Sequence, residues 1–182
     1  VRSTRTKNVI LSVNPKRKGQ IFCQNYIFSR AKTDIVVLIE ANTLPQSNTY
    51  LEQMIQPFKA NTSIGFSVGQ PHTMPPQSHI EKVIEAQRQI YLQTISPVLL
   101  HAFPICSGRG GRAFSKMLYH DFRWPKAVPE DLYIHLWCLG RNIPIVYRPN
   151  AGMYYRAPAT YTDYKNMMLK IRKGLEAIRE HF

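Results

Sequence analysis

The chain has 182 residues, of which 44% are hydrophobic and 19% charged, so the composition excludes a disordered chain and supplies enough apolar side chains for one core. No run approaches the roughly 20 apolar residues that a membrane-spanning helix needs. Lysine and arginine outnumber aspartate and glutamate by 24 to 11, and the net charge of +13 favours anionic partners. Charge alone does not choose between nucleic acid, an anionic lipid surface and a sugar nucleotide.

The cysteine pattern argues against a zinc site and against a disulfide framework. Cys23, Cys106 and Cys138 are far apart and form no CxxC pair, whereas zinc needs clustered ligands and a disulfide framework usually needs an even number of cysteines. Reduced thiols in a cytoplasmic protein are the simpler interpretation. The length predicts a single domain over residues 1–182.

Predicted strands and helices alternate along the first half of the chain. The run from Asp34 to Ile39 is apolar and rich in β-branched residues, which is typical of a strand covered on both faces in a parallel sheet. Ser47 is expected to cap the helix that follows. In chain order we expect a strand at 8–13, a helix at 20–31, a strand at 34–39, a loop at 40–45, a helix at 47–58 and a strand at 63–68.

The second half continues the alternation. The pattern Ser78-x-x-Glu81 predicts a capping box at the start of an amphipathic helix, and Gly140 predicts the end of a later one. We expect a proline-rich loop at 70–77, a helix at 78–94, a glycine-rich stretch at 107–111, a helix at 129–139, strands at 144–147 and 153–156, and a basic helix from 161 to the end. This alternation predicts an α/β fold with a mostly parallel sheet.

Two pairs of polar residues and one glycine-rich segment are the candidate functional positions. Glu40 and Asn42 stand two residues apart directly after a predicted buried strand, where both side chains could supply oxygen ligands to one cation. Glu130 and Asp131 open a helix, where carboxylates are favoured by the helix dipole and can also act as a base. Glycines around Gly108 allow a backbone to approach a ligand closely. Each observation has a structural alternative, namely helix capping for the carboxylates and a turn for the glycines.

The order of the motifs is more informative than any one of them. Lys18-Gly19 is followed by Asn25, and the predicted strand ends in Glu40-Ala41-Asn42-Thr43-Leu44-Pro45. Later motifs follow in the order Ser107-Gly108, Pro129-Glu130-Asp131, Tyr147-Arg148-Pro149 and Ala157-Pro158-Ala159-Thr160. Together they resemble the inverting family 2 glycosyltransferases of the GT-A type, such as cellulose, hyaluronan and chitin synthases. The resemblance extends from Lys18 to Gly174.

The resemblance implies a fold and a reaction. The expected fold is a GT-A-like α/β domain with a mostly parallel sheet flanked by helices, lacking the family's first strands because the sequence begins near the third. The expected reaction is transfer of a sugar from a nucleotide-diphosphate donor to an acceptor hydroxyl with inversion. The expected partners are that donor and a carbohydrate or lipid acceptor, with peripheral membrane contact and no specific nucleic acid. The expected location is the cytoplasm, at the inner face of a membrane.

The resemblance also assigns roles to residues. Asp131 is the expected catalytic base, with Glu130 beside it. Glu40 and Asn42 are expected to hold Mg²⁺ or Mn²⁺. The residues expected to bind the donor are Lys18, Asn25, Lys170 and Arg172. Those expected to contact the acceptor are Ser107, Gly108 and Trp124. The sequence does not decide whether Arg109 and Arg112 bind phosphate or face solvent.

Departures from the family pattern motivate alternative functions. Glu40-Ala41-Asn42 replaces the family's D-x-D, and Asn42 offers a neutral carbonyl oxygen without charge, so cation affinity should fall. The family's Q-x-x-R-W segment aligns with residues 167–171, which keep a positive charge at Lys170 but not the glutamine or the aromatic residue. One alternative is a non-catalytic glycosyltransferase-like protein that binds through its basic surface. Another is a nucleic-acid-binding module, although no RNP, KH or zinc-finger pattern is present.

Overall fold

The computed structural model describes residues 2–6, 9–94 and 108–182 of the chain. A short 3-10 turn at Gly108–Gly110 precedes the sixth strand. The elements are, in order, β1 (Arg2–Thr6), β2 (Val9–Val13), α1 (Gln20–Arg30), β3 (Ile35–Leu38), β4 (Thr43–Pro45), α2 (Tyr50–Ala60), β5 (Phe66–Thr73), α3 (His79–Thr94), β6 (Arg112–Ser115), α4 (Lys116–Asp121), α5 (Glu130–Leu139), β7 (Ile145–Tyr155) and α6 (Tyr161–Ile178). Across these described ranges, no helix is both long enough and apolar enough to cross a membrane.

The strands form a two-stranded hairpin, β1–β2, and a five-stranded sheet in the order β3-β6-β5-β7-β4. In the larger sheet β5 and β7 run parallel. The pairs β3–β6, β6–β5 and β7–β4 are antiparallel. The predicted α/β class is confirmed, but the sheet is mixed, and its strand directions differ from the mostly parallel arrangement that the sequence suggests.

The apolar run at β3 has a cause other than parallel pairing. Within the described residues β3 is an edge strand that pairs with β6 alone. Val36 and Leu38 are buried on one face of the sheet, and Ile35 and Val37 pack partly buried on the other. Because both faces are covered, a continuous apolar run is favourable whatever the direction of the neighbouring strand.

The core is divided between the two faces of the sheet. Helix α2 covers one face through its buried residues Tyr50, Met54 and Phe58. Helices α1, α4, α5 and α6 cover the other face, around the aromatic rings of Phe28, Phe114, Phe122 and Trp124. This arrangement places α1 and α5 on the same face.

Two strand boundaries differ from the predicted ones because of long-range pairing. β5 continues to Thr73 through Pro71, although the proline-rich composition predicts a loop there. β6 pairs with β5 only as far as Val68, so Pro71 has a strand on one side alone, where its missing N–H is tolerated. Beyond an irregularity at Gly69/Gln70, β5 pairs again with β7, so the two strands expected at 144–147 and 153–156 form the single strand β7.

The helix boundaries follow local signals more closely. The bounds of α1, α3 and α5 agree with the prediction to within one residue. Helix α2 begins later than expected, at Tyr50, so Ser47 is not its cap. The sequence predicts none of the short elements β1, β4, β6 and α4, and it predicts a loop where β4 lies, because three to six residues carry too little periodicity to be recognised.

The capping box at the start of α3 is confirmed. Ser78 Oγ accepts a hydrogen bond from the Glu81 N–H at 3.1 Å. Glu81 Oε2 accepts from the N–H of Gln77 at 2.6 Å and of Ser78 at 2.8 Å, and Arg156 Nη1 donates to Glu81 Oε1 at 3.1 Å. These hydrogen bonds, led by the one from Gln77, hold the pKa of Glu81 below its ordinary value. A carboxylate that is only 3% exposed is thus paired on both of its oxygens.

Candidate active site

A cavity of about 420 Å³ lies beside α1 at the end of β3. Its walls are one face of α1, the last residue of β3 with the turn that follows, and the first residue of β6. The turn contributes Glu40 and Asn42, the two residues predicted to hold a cation, and β6 contributes Arg112. The structure therefore brings both predicted metal ligands to one concave site.

Helix α1 turns a mainly polar face toward the cavity. Gln20, Cys23, Gln24 and Ile27 are three and four residues apart, which places them on one side of the helix. Gln24 is 6% exposed, and its Oε1 has no hydrogen-bond partner among the described residues. Apolar periodicity could not identify Gln24, because that signal assigns hydrophobic residues to the buried face of a helix.

The turn after β3 is fixed by its own hydrogen bonds. The backbone oxygen of Glu40 accepts from Thr43 Oγ1 at 2.7 Å and from the Thr43 N–H at 3.2 Å. The Glu40 carboxylate accepts from Gln20 Nε2 at 3.3 Å through its Oε1 atom. Thr43 is buried and begins β4, which pairs with β7. The turn that carries Glu40 and Asn42 is therefore tied to the sheet at its far end.

The residues at the turn fit a divalent cation with oxygen ligands. Glu40 offers a carboxylate and Asn42 a neutral amide oxygen. The described part of the chain contains no group of three histidine, cysteine, aspartate or glutamate side chains that could hold a metal ion by themselves. Mg²⁺ is commonly held by one or two carboxylates together with substrate phosphates. The donor set thus suits a cation that binds with a phosphate ligand.

The structure separates the two arginines that the sequence leaves undecided. The Arg109 guanidinium lies 4.5 Å from the centroid of the Tyr155 ring, and its Nη2 donates to Met167 Sδ at 3.4 Å. Arg112 lines the cavity and is 1% exposed. Its Nε and Nη1 atoms have no hydrogen-bond partner among the described residues. Its guanidinium carbon lies 5.9 Å from the centroid of the Trp124 ring.

Trp124 connects α1 to the start of α5. Asn25 Nδ2 donates to the backbone oxygen of Trp124 at 2.8 Å, and the Trp124 N–H donates to Asn25 Oδ1 at 3.0 Å. The indole Nε1 donates to the backbone oxygen of Glu130 at 2.8 Å. Trp124 is 3% exposed. The structure shows a packing role for both residues, and the donor contact of Asn25 and the acceptor contact of Trp124 stay predictions.

Glu130 and Asp131 occupy the first turn of α5, as predicted. Asp131 Oδ1 accepts from the Leu132 N–H at 2.9 Å. The described residues that line the cavity include neither Glu130 nor Asp131. Trp124 nevertheless joins the two places, because its ring faces Arg112 and its Nε1 holds the backbone of Glu130. The start of α5 therefore lies on the same face of the sheet as the cavity.

The basic residues predicted to bind the donor lie outside the cavity. Lys18 is exposed before α1, with its Nζ 4.4 Å from the centroid of the Phe22 ring. Lys170 and Arg172 are exposed on α6, where Arg172 Nε donates to Glu176 Oε1 at 3.2 Å. Their contact with a donor stays a prediction.

The glycine-rich segment packs closely against the sheet. A Cβ atom at Gly110 would lie 2.0 Å from the backbone oxygen of Gly69. Tyr50 Oη donates to the backbone oxygen of Gly110 at 2.9 Å. Gly108 begins the 3-10 turn, whereas Ser107 lies outside the described residues. The close approach that the glycines permit is thus one of backbone to backbone, and the acceptor contacts of Gly108 and Ser107 stay predictions.

The overall arrangement matches solved structures of glycosyltransferases. The chain superposes on a mannosyltransferase from Pyrobaculum calidifontis, determined in complex with GDP-Man and Mn²⁺, with a TM-score of 0.65 and 17% sequence identity. The fold is that of the GT-A glycosyltransferases. This match covers 91% of the present chain and 45% of the mannosyltransferase. No family model and no curated protein matches the chain.

Two further matches have the same GT-A fold. Glucosyl-3-phosphoglycerate synthase from Mycobacterium tuberculosis, in complex with Mn²⁺, UDP-Glc and phosphoglyceric acid, gives a TM-score of 0.53 at 16% identity, covering 90% of this chain and 56% of that one. Mannosyl-3-phosphoglycerate synthase from Rubrobacter xylanophilus gives 0.56 at 15% identity, covering 90% and 52%. The chain spans about half the length of the structures it matches. The predicted GT-A fold is confirmed.

Proposed function

We propose that the protein transfers a sugar from a nucleotide-diphosphate donor to a hydroxyl of a carbohydrate or lipid acceptor, with inversion at the anomeric carbon. The observation that carries the proposal is the cavity of a GT-A fold in which Glu40, Asn42 and the buried Arg112 meet. The order of motifs from Lys18 to Gly174 supports family 2 in particular. The donors and Mn²⁺ present in the matched structures support a nucleotide sugar as the ligand.

The proposed chemistry divides between the cavity and the start of α5. When bound at Glu40 and Asn42, Mg²⁺ or Mn²⁺ would supply positive charge to the diphosphate as it leaves. Asp131 accepts the proton of the acceptor hydroxyl while that oxygen bonds to the anomeric carbon and the bond from this carbon to the diphosphate oxygen breaks. Attack opposite the leaving group gives inversion. Glu130, next to Asp131 in the same helical turn, is proposed to share this site.

Glu40 is expected to carry the metal dependence of donor binding. The substitution Glu40→Gln removes the carboxylate of the pair and leaves two neutral amides at the turn. In the wild type we expect Mn²⁺ to lower the Kd of UDP-glucose or GDP-mannose. In the variant we expect this Mn²⁺ effect on Kd to be smaller by a factor of about 10 to 100. Asn42→Asp adds a second carboxylate and should have the opposite effect. Isothermal titration calorimetry of the full-length protein, with and without Mn²⁺, measures both.

Glu52→Gln is the control for this measurement, because Glu52 is an exposed carboxylate on α2 that lies outside the cavity lining. Equal Mn²⁺ dependence in the Glu40→Gln variant and the wild type would contradict the metal assignment. A folded wild-type protein that binds no sugar nucleotide, and whose thermal stability does not respond to Mn²⁺ with a nucleoside diphosphate, would instead be the non-catalytic glycosyltransferase-like protein.

A membrane contact is a second proposal, favoured by the surface of α6. Four large apolar side chains of this helix, Met168, Leu169, Ile171 and Leu175, are 41–45% exposed. The basic residues on this helix and just after it are Lys165, Lys170, Arg172, Lys173 and Arg179. Apolar and basic side chains on one helix favour the interface of an anionic membrane. We therefore propose peripheral contact at the cytoplasmic side.

The α6 surface is tested with lipid vesicles. Leu175→Asp places a negative charge among the exposed apolar residues of α6, so we expect the full-length variant to bind vesicles that contain phosphatidylglycerol several-fold more weakly than the wild type does. Leu51→Asp is the matched control, because Leu51 is an exposed leucine on helix α2, 53% accessible against 44% for Leu175. Cosedimentation measures both variants, and equal loss in the two would rule out α6 as the contact surface.

A further inference from the structure

Arg112 is a buried charge in the middle of the sheet. It begins β6, where it is paired with Leu38 of β3 on one side and Val68 of β5 on the other, and its side chain is 1% exposed. Transfer of a guanidinium from water into a protein interior is unfavourable unless a carboxylate or several acceptors compensate the charge. Within the described residues no carboxylate forms an ion pair with Arg112, and its Nε and Nη1 atoms lack hydrogen-bond partners. Among the described residues, the Trp124 ring gives Arg112 a cation–π contact, with 5.9 Å from the guanidinium carbon to the ring centroid.

Two other partly buried arginines of this chain, Arg88 and Arg148, have oxygen acceptors. Arg88 Nη1 lies 3.3 Å from Glu85 Oε1, and its Nη2 donates to the backbone oxygen of Pro71 at 2.9 Å. Arg148 donates from Nε to the backbone oxygen of Gln53 at 3.1 Å. The described residues thus supply oxygen acceptors to Arg88 and Arg148, whereas they supply none to Nε and Nη1 of the more deeply buried Arg112.

A second buried polar group without a partner lines the same cavity. Gln24 Oε1 is unpaired, and both Gln24 and Arg112 contribute to the cavity wall, together with the Glu40 turn. A guanidinium supplies donors to phosphoryl oxygens, and an amide oxygen accepts from a hydroxyl. Two unpaired groups of this kind in one cavity match a ligand that carries a phosphoryl group next to a hydroxylated unit.

We propose that Arg112 binds a phosphoryl group of the ligand in this cavity, with Gln24 accepting a hydrogen bond from a neighbouring hydroxyl of the same ligand. The proposal rests on the proposed function in taking the ligand to be a phosphorylated compound. It also accounts for the departure at Asn42, because the guanidinium supplies a positive charge that does not depend on a second carboxylate. The phosphoryl group belongs either to the nucleotide donor or to a phosphorylated acceptor.

The test compares Arg112→Met with Arg109→Met in the full-length protein. Methionine fills the space of the arginine stem without its charge, whereas Arg109 lies outside the cavity lining and serves as the control. The probes are UDP and GDP, each with Mn²⁺, and glycerol phosphate and inorganic phosphate without it. We expect Arg112→Met to raise the Kd of at least one probe about 10- to 100-fold, the range for a hydrogen bond to a charged group, and Arg109→Met to leave it within about twofold.

The pattern of losses identifies the source of the phosphoryl group. A loss confined to UDP and GDP assigns Arg112 to the donor, and a loss confined to glycerol phosphate and phosphate assigns it to the acceptor. We also expect Arg112→Met to raise the melting temperature of the ligand-free protein, because an uncompensated buried charge is removed. A structural arginine would give the opposite shift, and that result, or an unchanged Kd for every probe, overturns the proposal.

Arg112→Lys guards against a methionine variant that fails to fold. Lysine keeps the positive charge but not the planar fork of donors, so we expect measurable binding that is weaker than in the wild type. An unchanged Kd for every probe in this variant also overturns the proposal. A wild-type protein that binds none of the probes would overturn the proposed function as well. Equal Kd values for the wild type and the Arg112 variants would overturn the present inference alone.

Discussion

The Asp131→Asn variant is expected to lose sugar transfer while it keeps its fold and its donor affinity. Asparagine retains the oxygen that accepts from the Leu132 N–H, so the first turn of α5 should persist. It cannot take a proton from an acceptor hydroxyl, and loss of a general base typically lowers the rate about 10²- to 10⁴-fold. Steady-state kinetics of the full-length protein give kcat, and calorimetry with the donor gives Kd.

Asp121→Asn provides the control for this measurement. Asp121 ends α4 on the surface, where its carboxylate lies 2.7 Å from His120 Nδ1 and is 75% exposed. We expect its kcat to stay within about twofold of the wild type. Undiminished turnover in the Asp131 variant would show that another group removes the proton, and the proposed role of α5 in catalysis would then be wrong.

Gly110→Ala is expected to cause a large loss of stability, because the added methyl group would meet the backbone of a neighbouring strand. The new Cβ would lie 2.0 Å from the backbone oxygen of Gly69 and 3.2 Å from Pro71 Cδ, so the 3-10 turn and β5 would have to separate. That movement also disrupts the hydrogen bond that Tyr50 Oη donates to the backbone oxygen of Gly110. Burial raises the pKa of Tyr50 to about 12, so this hydroxyl stays a donor. We expect a loss of about 3 kcal/mol in the free energy of unfolding.

Urea denaturation measures the effect, with Gly140→Ala as the matched control. Gly140 follows α5 at φ −63°, and a Cβ there would meet its nearest atom, the Leu136 oxygen, at an ordinary 3.5 Å. Alanine at such a position should change stability by less than about 1 kcal/mol, with stabilisation the expected sign. Similar midpoints for the two variants would mean that the turn and β5 are not in tight contact.

Local signals in the sequence identified the elements that depend on local contacts. The capping box of Ser78 and Glu81 uses hydrogen bonds within four residues, and the α5 boundary uses the glycine that follows the helix. The order of motifs also singled out Glu40 and Asn42, which line the cavity, while their role as metal ligands stays a prediction. The capping box and the end of α5 could be read from sequence because neighbouring residues determine them.

Features that depend on distant pairing were not accessible in the same way. The strand directions follow from which strands meet, for example Val36 with Phe114. The burial of Arg112 follows from the same pairing. It could not be predicted, because a basic residue beside a glycine-rich turn has the sequence signature of a surface loop. That Asp131 does not line the cavity was equally beyond the sequence, and the link through Trp124 appears only in three dimensions.

The junction between Asn25 and Trp124 has a consequence for comparing relatives of this protein. Its two hydrogen bonds use the side chain of residue 25 but only the main chain of residue 124. An asparagine both donates and accepts at the required length, whereas any amino acid except proline presents the same main-chain groups at position 124. Covariation between the two positions would therefore miss this junction, because only one partner carries a side-chain signature, and invariance of a single asparagine would be its evolutionary trace.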